Sequence, residues 1–261
     1  IYNLTEVFIQ GINGKFTHHP LDPKQVKESK TTQDAGISLV DIDNDGDLDV
    51  YVASGGFEKA ANSQDYQDKL YINDGRGVFT LLSSGLPINH TSKSAVRFID
   101  FDKDGDLDMF VAGQVEPWKY PKPVSSAIYK NESKNGQIQF VDVTKKVAPF
   151  LENIGLINDM IWTDFDNDGW QDIIVAGEWM PVTFIKNNKG VFENITSTTG
   201  IDKQVGWWTS IVSGDFDNDG DLDYIIGNLG DNSYYKASEK YPVGILAKDF
   251  DNNGSYDAVP T

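Results

Sequence analysis

A nine-residue acidic motif occurs five times along this chain, and this repetition restricts the possible folds more than any other feature. In the first copy, DIDNDGDLD, Asp stands at every odd position and a single Gly stands at the sixth. We number the motif positions 1 to 9 and call the copies loops 1 to 5; they are residues 41–49, 100–108, 164–172, 215–223 and 249–257. Successive copies start 59, 64, 51 and 34 residues apart, and repeats of roughly this period are typical of propeller blades and other repeat arrays.

Strand-like segments flank the motif. Each of the first four copies follows a short apolar run such as GISLV and precedes another such as LDVYVA, so the acidic loop connects two strands. Two further runs follow in each of the first three repeats, separated by turns rich in Asn, Asp and Gly. The sequence therefore predicts an all-β fold: a β-propeller, or a propeller segment, of about five four-stranded blades.

The predicted propeller occupies the whole chain, residues 1–261, as a single domain or segment. Its inner strands should begin near residues 36, 94, 158, 208 and 244. Residues 1–35 would then supply the outer strands of a preceding blade, or of a composite blade that the C-terminal strands complete and that closes the ring. We expect a segment of a larger propeller more than a closed ring, because the sequence starts without Met or a leader and reads as a piece of a longer protein.

The motif supplies oxygen ligands for a cation. Side chains at positions 1, 3 and 5 can converge, Gly at position 6 permits the sharp turn, and a position 7 carbonyl and a position 9 carboxylate complete the set. Hard oxygen ligands in this number suit Ca²⁺ better than Mg²⁺, and we expect four to five Ca²⁺ per chain, the fifth loop being the weakest because Asn replaces one Asp. The predicted side-chain ligands are Asp41, Asp43, Asp45 and Asp49; Asp100, Asp102, Asp104 and Asp108; Asp164, Asp166, Asp168 and Asp172; Asp215, Asp217, Asp219 and Asp223; and Asp249, Asp251, Asn253 and Asp257. The position 7 residues, predicted to bind through their carbonyl groups, are Asp47, Asp106, Trp170, Asp221 and Ser255.

An EF-hand does not fit these loops. That motif needs Glu at position 12, where this chain has Val52, Val111, Val175, Ile226 and Pro260. The DxDxDGxxD loop between strands, repeated blade by blade, instead resembles the FG-GAP or VCBS repeats of integrin α-subunit propellers and of many bacterial surface proteins. The segments AGEWMPVTFIKN and GWWTSIVSGDFDNDGDLDYIIGNLG are similar to large secreted propeller proteins of Bacteroidetes-type bacteria. The resemblance implies a calcium-stabilised module for adhesion, scaffolding or ligand binding that is extracellular, on the cell surface or periplasmic.

The end of the propeller opposite the acidic loops is the candidate ligand-binding face. The inner strands begin there and the second strands end there, which gathers amide, carboxylate and indole groups able to hydrogen-bond and stack on a glycan or a protein ligand. The alternative role for the two Trp residues of this set is packing between blades. The candidate residues are Gln114, Asn158, Asp159, Glu178, Trp179, Trp208 and Asn228.

Composition excludes several functions. The net charge of −18, with 22 of the 40 acidic residues in the five loops, argues against nucleic acid or an anionic membrane as a direct partner. Cys is absent, the three His residues lack zinc-binding spacing, and no nucleophile elbow or phosphate-binding loop is found, so we assign no catalytic residue. A polysaccharide lyase or glycosidase that uses Asp159 and Glu178 is the alternative function. A truncated propeller with open strand edges would also tend to self-associate.

Overall fold

Short antiparallel strands form most of the structure, a computed structural model that describes residues 5–22, 33–230, 232–238 and 240–261. The first two strands are β1 (Glu6–Gln10) and β2 (Phe16–Pro20), which pair with each other as a hairpin. Three groups of four consecutive strands follow, and we call them sheets 1 to 3. Sheet 1 contains β3 (Gln33–Val40), β4 (Asp49–Gly55), β5 (Lys69–Asn73) and β6 (Phe79–Leu81). Sheet 2 contains β7 (Ser92–Ile99), β8 (Asp108–Val115), β9 (Ala127–Asn131) and β10 (Phe140–Asp142). Sheet 3 contains β11 (Leu156–Thr163), β12 (Asp172–Pro181), β13 (Thr183–Asn187) and β14 (Phe192–Asn194).

The C-terminal part of the chain forms two further hairpins. They are β15 (Val205–Gly214) with β16 (Asp223–Asn228), and β17 (Ile245–Lys248) with β18 (Asp257–Pro260). Strand β15 also pairs with β12, so the first of these hairpins extends sheet 3 to six strands. The helical elements are short: α1 (Thr144–Val147) and 3-10 helices at Gln64–Tyr66, Pro149–Leu151 and Thr196–Thr198. None of the helices formed by the described residues has the length and hydropathy that crossing a membrane requires. The strand content and the four-stranded antiparallel sheets confirm the predicted all-β class.

The first strands of successive sheets lie side by side, which is the arrangement expected of propeller blades around an axis. Ser38 of β3 donates a hydrogen bond to the carbonyl oxygen of Val96 in β7, at 2.7 Å. Ser94 of β7 donates in the same way to the carbonyl oxygen of a residue in β11, and β11 contacts β15. A Cβ at Gly36 would lie 2.7 Å from the carbonyl oxygen of Ser94, so only glycine allows β3 to come this close to β7.

The described strands form an open series of sheets. Hairpin β1–β2 packs Val7 against Val50, Val52 and Tyr71 of sheet 1, where the outer strands of a preceding blade would lie. Neither strand of this hairpin pairs with β17 or β18, so the composite fifth blade is not formed by the described residues. The structure is therefore compatible with a segment of a propeller. In the described part of the chain, no third or fourth strand follows β16 before β17 begins. This absence agrees with the short spacing between loops 4 and 5.

Apolar side chains fill the spaces between neighbouring sheets. Strands β4, β8 and β12 carry continuous buried runs because both of their faces are covered. Tyr51, Leu70 and Met109 are fully buried between sheets 1 and 2. Phe110 and Ile173 are fully buried between sheets 2 and 3. The second strand of each repeat is thus the centre of the core, and it starts at the last residue of an acidic loop.

A buried ion pair also joins sheets 1 and 2. The Nζ atom of Lys93 lies 3.1 Å from Oδ1 of Asp68, and neither side chain is exposed. Lys93 also donates to the carbonyl oxygen of Asn89, while Asp68 accepts hydrogen bonds from the Tyr51 hydroxyl and the Ser54 amide. Every charged atom of the pair has a partner, which is the condition under which such a pair is tolerated in a core.

Replacing Lys93 with Met should destabilise the fold by about 3 to 5 kcal/mol, because Asp68 would keep a buried charge without its counterion. Urea unfolding gives the free energy of unfolding. Lys134→Met is the control, since the Lys134 side chain is 77% exposed and its ion pair with Glu132 is at the surface, where such pairs contribute less than about 1 kcal/mol. Equal stability of the two variants would contradict a structural role for the buried pair.

Candidate metal centres

The acidic loops share a backbone conformation that their side chains stabilise. In loop 1, Oδ1 of Asp41 accepts the Asp45 amide at 3.1 Å, and Oδ2 of Asp41 accepts the Gly46 amide at 3.1 Å. The same two bonds, from positions 5 and 6 to position 1, recur in loops 2, 3 and 5. In loop 4 only the bond from position 6 is formed. The backbone of each loop therefore turns around the position 1 carboxylate, which accepts its amide groups.

Two positions of each loop have positive φ. Position 6 is Gly in every copy, with φ between 86° and 99°, as the motif predicts. Position 4 also has positive φ, between 57° and 63°, although it is Asn in four copies and Lys103 in the other. Asn tolerates the left-handed region better than most residues. The sequence analysis did not identify position 4, although Asn in four of its five copies indicated a left-handed backbone there.

The position 9 carboxylate connects three parts of each of sheets 1 to 3. In sheet 1, Oδ2 of Asp49 accepts the Ile42 amide and Oδ1 accepts the Asn73 amide, both at 2.9 Å. Asp49 thus joins the loop, the start of β4 and the end of β5. The equivalent pairs are Asp108 with Asn131, at 2.8 Å, and Asp172 with Asn187, at 2.7 Å.

Asn at the end of the third strand completes this connection. The side-chain amides of Asn73, Asn131 and Asn187 donate to the carbonyl oxygen at position 8 of their own loops. Sequence reasoning missed these residues. The signal was present, because each third strand ends in Asn: KLYIN, AIYKN and TFIKN.

Four of the five loops bring three carboxylate oxygens within 4.8 Å of one another. The groups are Asp41, Asp43 and Asp45; Asp100, Asp102 and Asp108; Asp164, Asp166 and Asp172; and Asp215, Asp217 and Asp223. Position 5 belongs to the group only in loop 1, and position 9 belongs to it in loops 2, 3 and 4. Among the described residues, loop 5 forms no such group, and Asn253 there donates its side-chain amide to Asp251 at 3.0 Å.

The position 7 residues are held by their amides. Asp47, Asp106, Trp170, Asp221 and Ser255 each donate the backbone N–H to the side chain at position 5, at 2.8 to 3.1 Å. Their side chains differ in chemistry; the Trp170 ring, for example, lies under the Lys103 ammonium at 4.3 Å. This fixed amide orients the position 7 peptide unit, while the identity of the side chain is free to vary.

The electrostatics of the loops favour a bound cation. Burial raises the pKa of Asp108 to about 7 and that of Asp172 to about 6, and carboxylates of the same loop add to both shifts. Among the described residues, Oδ1 of Asp47 and Oδ1 of Asp102 are buried and accept no hydrogen bond. A buried carboxylate oxygen that accepts no hydrogen bond is stabilised by a positive ion.

Comparison with known proteins agrees with this geometry. Residues 54–111 and 164–226 match the family model of the FG-GAP-like repeat. These two regions of the chain are similar to the FG-GAP-like repeat. The matched FG-GAP-like regions include loops 2, 3 and 4, so the nine-residue motif and the strands around it are part of the repeat.

Two curated relatives of this chain share one name. Cartilage acidic protein 1 of Mus musculus and that of Homo sapiens are each 24% identical to this chain over 211 residues. The similarity covers 77% of this chain and 29% of each relative. The chain therefore spans less than a third of the length of these relatives.

A polar pocket of about 460 Å³ lies at the end of the sheets opposite the acidic loops. The inner strands begin there and the second strands end there. Three residues predicted for this face, Gln114, Asn158 and Glu178, line the pocket together. The other lining residues are Gln33, Ala35, Ser94, Trp207 and Thr209. No lysine, arginine or histidine of the described residues lines the pocket.

Hydrogen bonds hold the predicted polar residues of the pocket. The Tyr120 hydroxyl donates to Oε2 of Glu178 at 2.7 Å, and the Trp179 indole donates to the Tyr120 oxygen at 2.6 Å. Asn158 donates to the Trp208 carbonyl oxygen at 2.9 Å. The Trp207 ring lies against those of Trp179 and Tyr120, with centroids 5.8 and 6.4 Å away. The carboxylate and the indole of the pocket are therefore both positioned by neighbours.

Four residues predicted for this face lie outside the pocket. Asp159 pairs with Arg97 at 2.9 Å, and Trp179 supports the Tyr120 hydroxyl. Asn228 accepts the Gly230 amide, while Trp208 packs against the apolar cluster of Ile174, Val182 and Ile211.

Trp207, not Trp208, presents its ring to the pocket. Neighbouring residues of a strand point to opposite faces. Trp207 and Thr209, two residues apart on β15, both line the pocket, whereas Trp208 between them lies on the other face.

We expect the stability of the metal-free protein to fall as the pH rises from 5 to 8. The folded pKa values of Asp108 and Asp172 lie above the unfolded value near 3.9, so the folded state binds more protons and its advantage is lost as pH passes the folded values. Urea unfolding in EDTA at several pH values measures this loss, which saturating calcium should reduce. The double variant Asp108→Asn and Asp172→Asn should show a weaker dependence in EDTA; an unchanged slope would contradict the assignment.

Proposed function

We propose that this chain is an extracellular, calcium-stabilised repeat module that binds a protein or glycan ligand in the pocket opposite its metal loops. The observation that carries the proposal is the grouping of three carboxylate oxygens within 4.8 Å in each of four loops. FG-GAP-like repeats support a role in adhesion, scaffolding or ligand binding. The name of the curated relatives, cartilage acidic protein 1, supports a location outside the cell.

Calcium fits the residues of the loops. The donors are carboxylate and carbonyl oxygens, the hard ligands that Ca²⁺ takes in sets of six to eight. Positions 1, 3, 5 and 9 would supply side-chain oxygens, and the buried oxygen of Asp102 without a hydrogen bond is available to the ion. Bound calcium would offset the repulsion between carboxylates. It would also strengthen the connection that position 9 makes to the second and third strands, so its role is structural.

The pocket suits recognition of a polar, uncharged surface. The amide groups of Gln33, Gln114 and Asn158 can donate and accept hydrogen bonds, and Trp207 offers an aromatic ring for stacking. Glu178 is the one charged residue among those that line the pocket. An acidic polysaccharide would therefore be repelled, which favours a neutral glycan or a peptide segment as the ligand.

The same residues give less support to a polysaccharide-cleaving enzyme. Glycosidases use two carboxyl groups across one substrate bond, whereas Asp159 is held by Arg97 and by the Ile211 amide. Glu178 is held by the Tyr120 hydroxyl. We therefore prefer binding to catalysis. Release of new reducing ends from a panel of polysaccharides would overturn this preference.

Calcium removal tests the structural role of the loops. At calcium 100-fold above its dissociation constant, each occupied site should add about 2.7 kcal/mol to the free energy of unfolding. Thermal unfolding in calcium and in EDTA measures this stabilisation, and elemental analysis should find four to five calcium ions per chain. Magnesium at the same concentration is the control and should stabilise less. Identical melting in all buffers, with no bound calcium, would contradict the proposal.

Substitution of the adjacent residues Trp207 and Trp208 tests ligand binding and stability separately. Trp207→Ala should abolish binding to an array of neutral glycans and matrix-derived peptides while the melting temperature stays nearly unchanged. Trp208→Ala should lower the free energy of unfolding by about 3 kcal/mol, because its ring packs in an apolar cluster. Full binding by the Trp207 variant would exclude the pocket as the ligand site.

A further inference from the structure

We propose that Lys130 and Lys186 are built-in counter-cations that weaken metal binding in loops 2 and 3, so that loops 1 and 4 fill first. The inference rests on the proposed binding of calcium by these loops. It concerns residues outside the nine-residue motif, on the third strands of sheets 2 and 3.

Each lysine reaches two carboxylates of its own loop. The Lys130 ammonium pairs with Asp102 and lies 2.8 Å from Oδ2 of Asp104. The Lys186 ammonium pairs with Asp166 and lies 2.9 Å from Oδ2 of Asp168. In both loops these carboxylates are positions 3 and 5, which the motif offers to a metal. The lysine side chains are only 21% and 25% exposed, which strengthens the pairs relative to ordinary surface pairs.

The two lysines occupy equivalent places in the fold. Lys130 follows Tyr129, the partner of Met109 in the strand ladder, and Lys186 follows Ile185, the partner of Ile173. In sheet 1 the same place is held by Ile72, which follows Tyr71, the partner of Val50. An ammonium therefore accompanies loops 2 and 3, and an apolar side chain accompanies loop 1.

Loops 1 and 4 have no such cation in the described part of the chain. No lysine or arginine there forms an ion pair with their carboxylates, although each loop carries five of them. In the described part of the chain, no third strand follows loop 4 and β16. The position that Lys130 occupies in sheet 2 therefore has no counterpart in that repeat. The four groups of carboxylates thus divide into two with a lysine and two without.

A tethered ammonium affects the two states of a loop in opposite directions. Without metal, it offsets repulsion between carboxylates and stabilises the folded loop. When a divalent ion binds, the ammonium must move away from positions 3 and 5 or remain close to a like charge, and either change weakens binding. The buried Oδ1 of Asp102, which accepts no hydrogen bond from the described residues, indicates that Lys130 does not satisfy the whole carboxylate. Metal binding in loop 2 is therefore weakened and not abolished.

Calorimetric calcium titration of the full chain tests the division into two classes. Among loops 1 to 4, the wild type should show two tighter sites and two weaker ones, the weaker class about tenfold lower in affinity. Lys130→Gln and Lys186→Gln should each move one site into the tighter class, and the double variant should leave a single class. Lys189→Gln, which removes a charge from the same hairpin as Lys186, is the matched control and should leave both classes unchanged.

Trp170 provides a readout for loop 3. Because this indole is at position 7 of loop 3, it should sensitise the luminescence of Tb³⁺ bound there. The luminescence lost in the variant Trp170→Phe is the part that comes from loop 3. Lys186→Gln should lower the Tb³⁺ concentration at half-saturation of that part about tenfold. An unchanged midpoint would overturn the inference.

Transfer of the lysine to sheet 1 is the reciprocal test. Ile72→Lys should weaken calcium binding in loop 1 and add a third weak site to the calorimetric titration, whereas Ile72→Met should not. Stability gives an independent readout: the double lysine variant should melt below the wild type in EDTA and above it in calcium. If the wild type binds no calcium, the proposed function fails. If it binds calcium but the lysine variants match it in both buffers, only the role of the lysines fails.

Discussion

The carboxylate at position 9 of the acidic loop is the interaction on which each blade depends. In sheets 1 to 3 its two oxygens hold the amide at position 2 and the amide of Asn at the end of the third strand. One side chain thereby fixes the loop, the start of the most buried strand and the strand beyond it. Because this carboxylate is buried, it is stable as an ion only with amide donors or a cation nearby. The acidic loops are therefore part of the core, although most of their residues are exposed.

Much of the fold could be predicted because its signals are local. The spacing of Asp and Gly within nine residues, and the apolar runs on either side, predict the loop and the strands that it connects. Contacts between residues that are far apart in the sequence were harder to predict. Asn73, Asn131 and Asn187 follow no fixed distance from their loops, since the turn between the second and third strands varies in length. Trp207 was missed because two adjacent Trp residues of β15 lie on opposite faces of the strand, and the sequence does not indicate which face meets the pocket. Lys130 and Lys186 each lie 22 or more residues after the first residue of the loop that they contact. A pattern in one sequence does not reveal a contact over that distance.

Charge divides the molecule into two ends. The carboxylates gather in the loops that connect the first and second strands, where lysines and, as proposed, calcium offset them. The opposite end has a pocket of neutral groups with Glu178 as its one charged lining residue. Residues that stabilise the blades and residues suited to recognition are thus separated by the length of the strands. Sequence change at the pocket can proceed without disturbing the loops, which is how one scaffold comes to hold different binding sites.

The hydrogen bonds between β12 and β15 distinguish sheet 3 from its neighbours. Successive propeller blades are normally joined by side-chain packing alone, whereas here Glu178 lies opposite Trp207 in a main-chain ladder that also pairs Met180 with Gly206. The two residues that give the pocket its charge and its aromatic surface are therefore cross-strand neighbours, and their separation is set by the backbone. A ligand under tension would load this ladder along the strands. Several hydrogen bonds would then have to break together before the blades separated, so this junction would give the module mechanical strength beside the proposed ligand pocket.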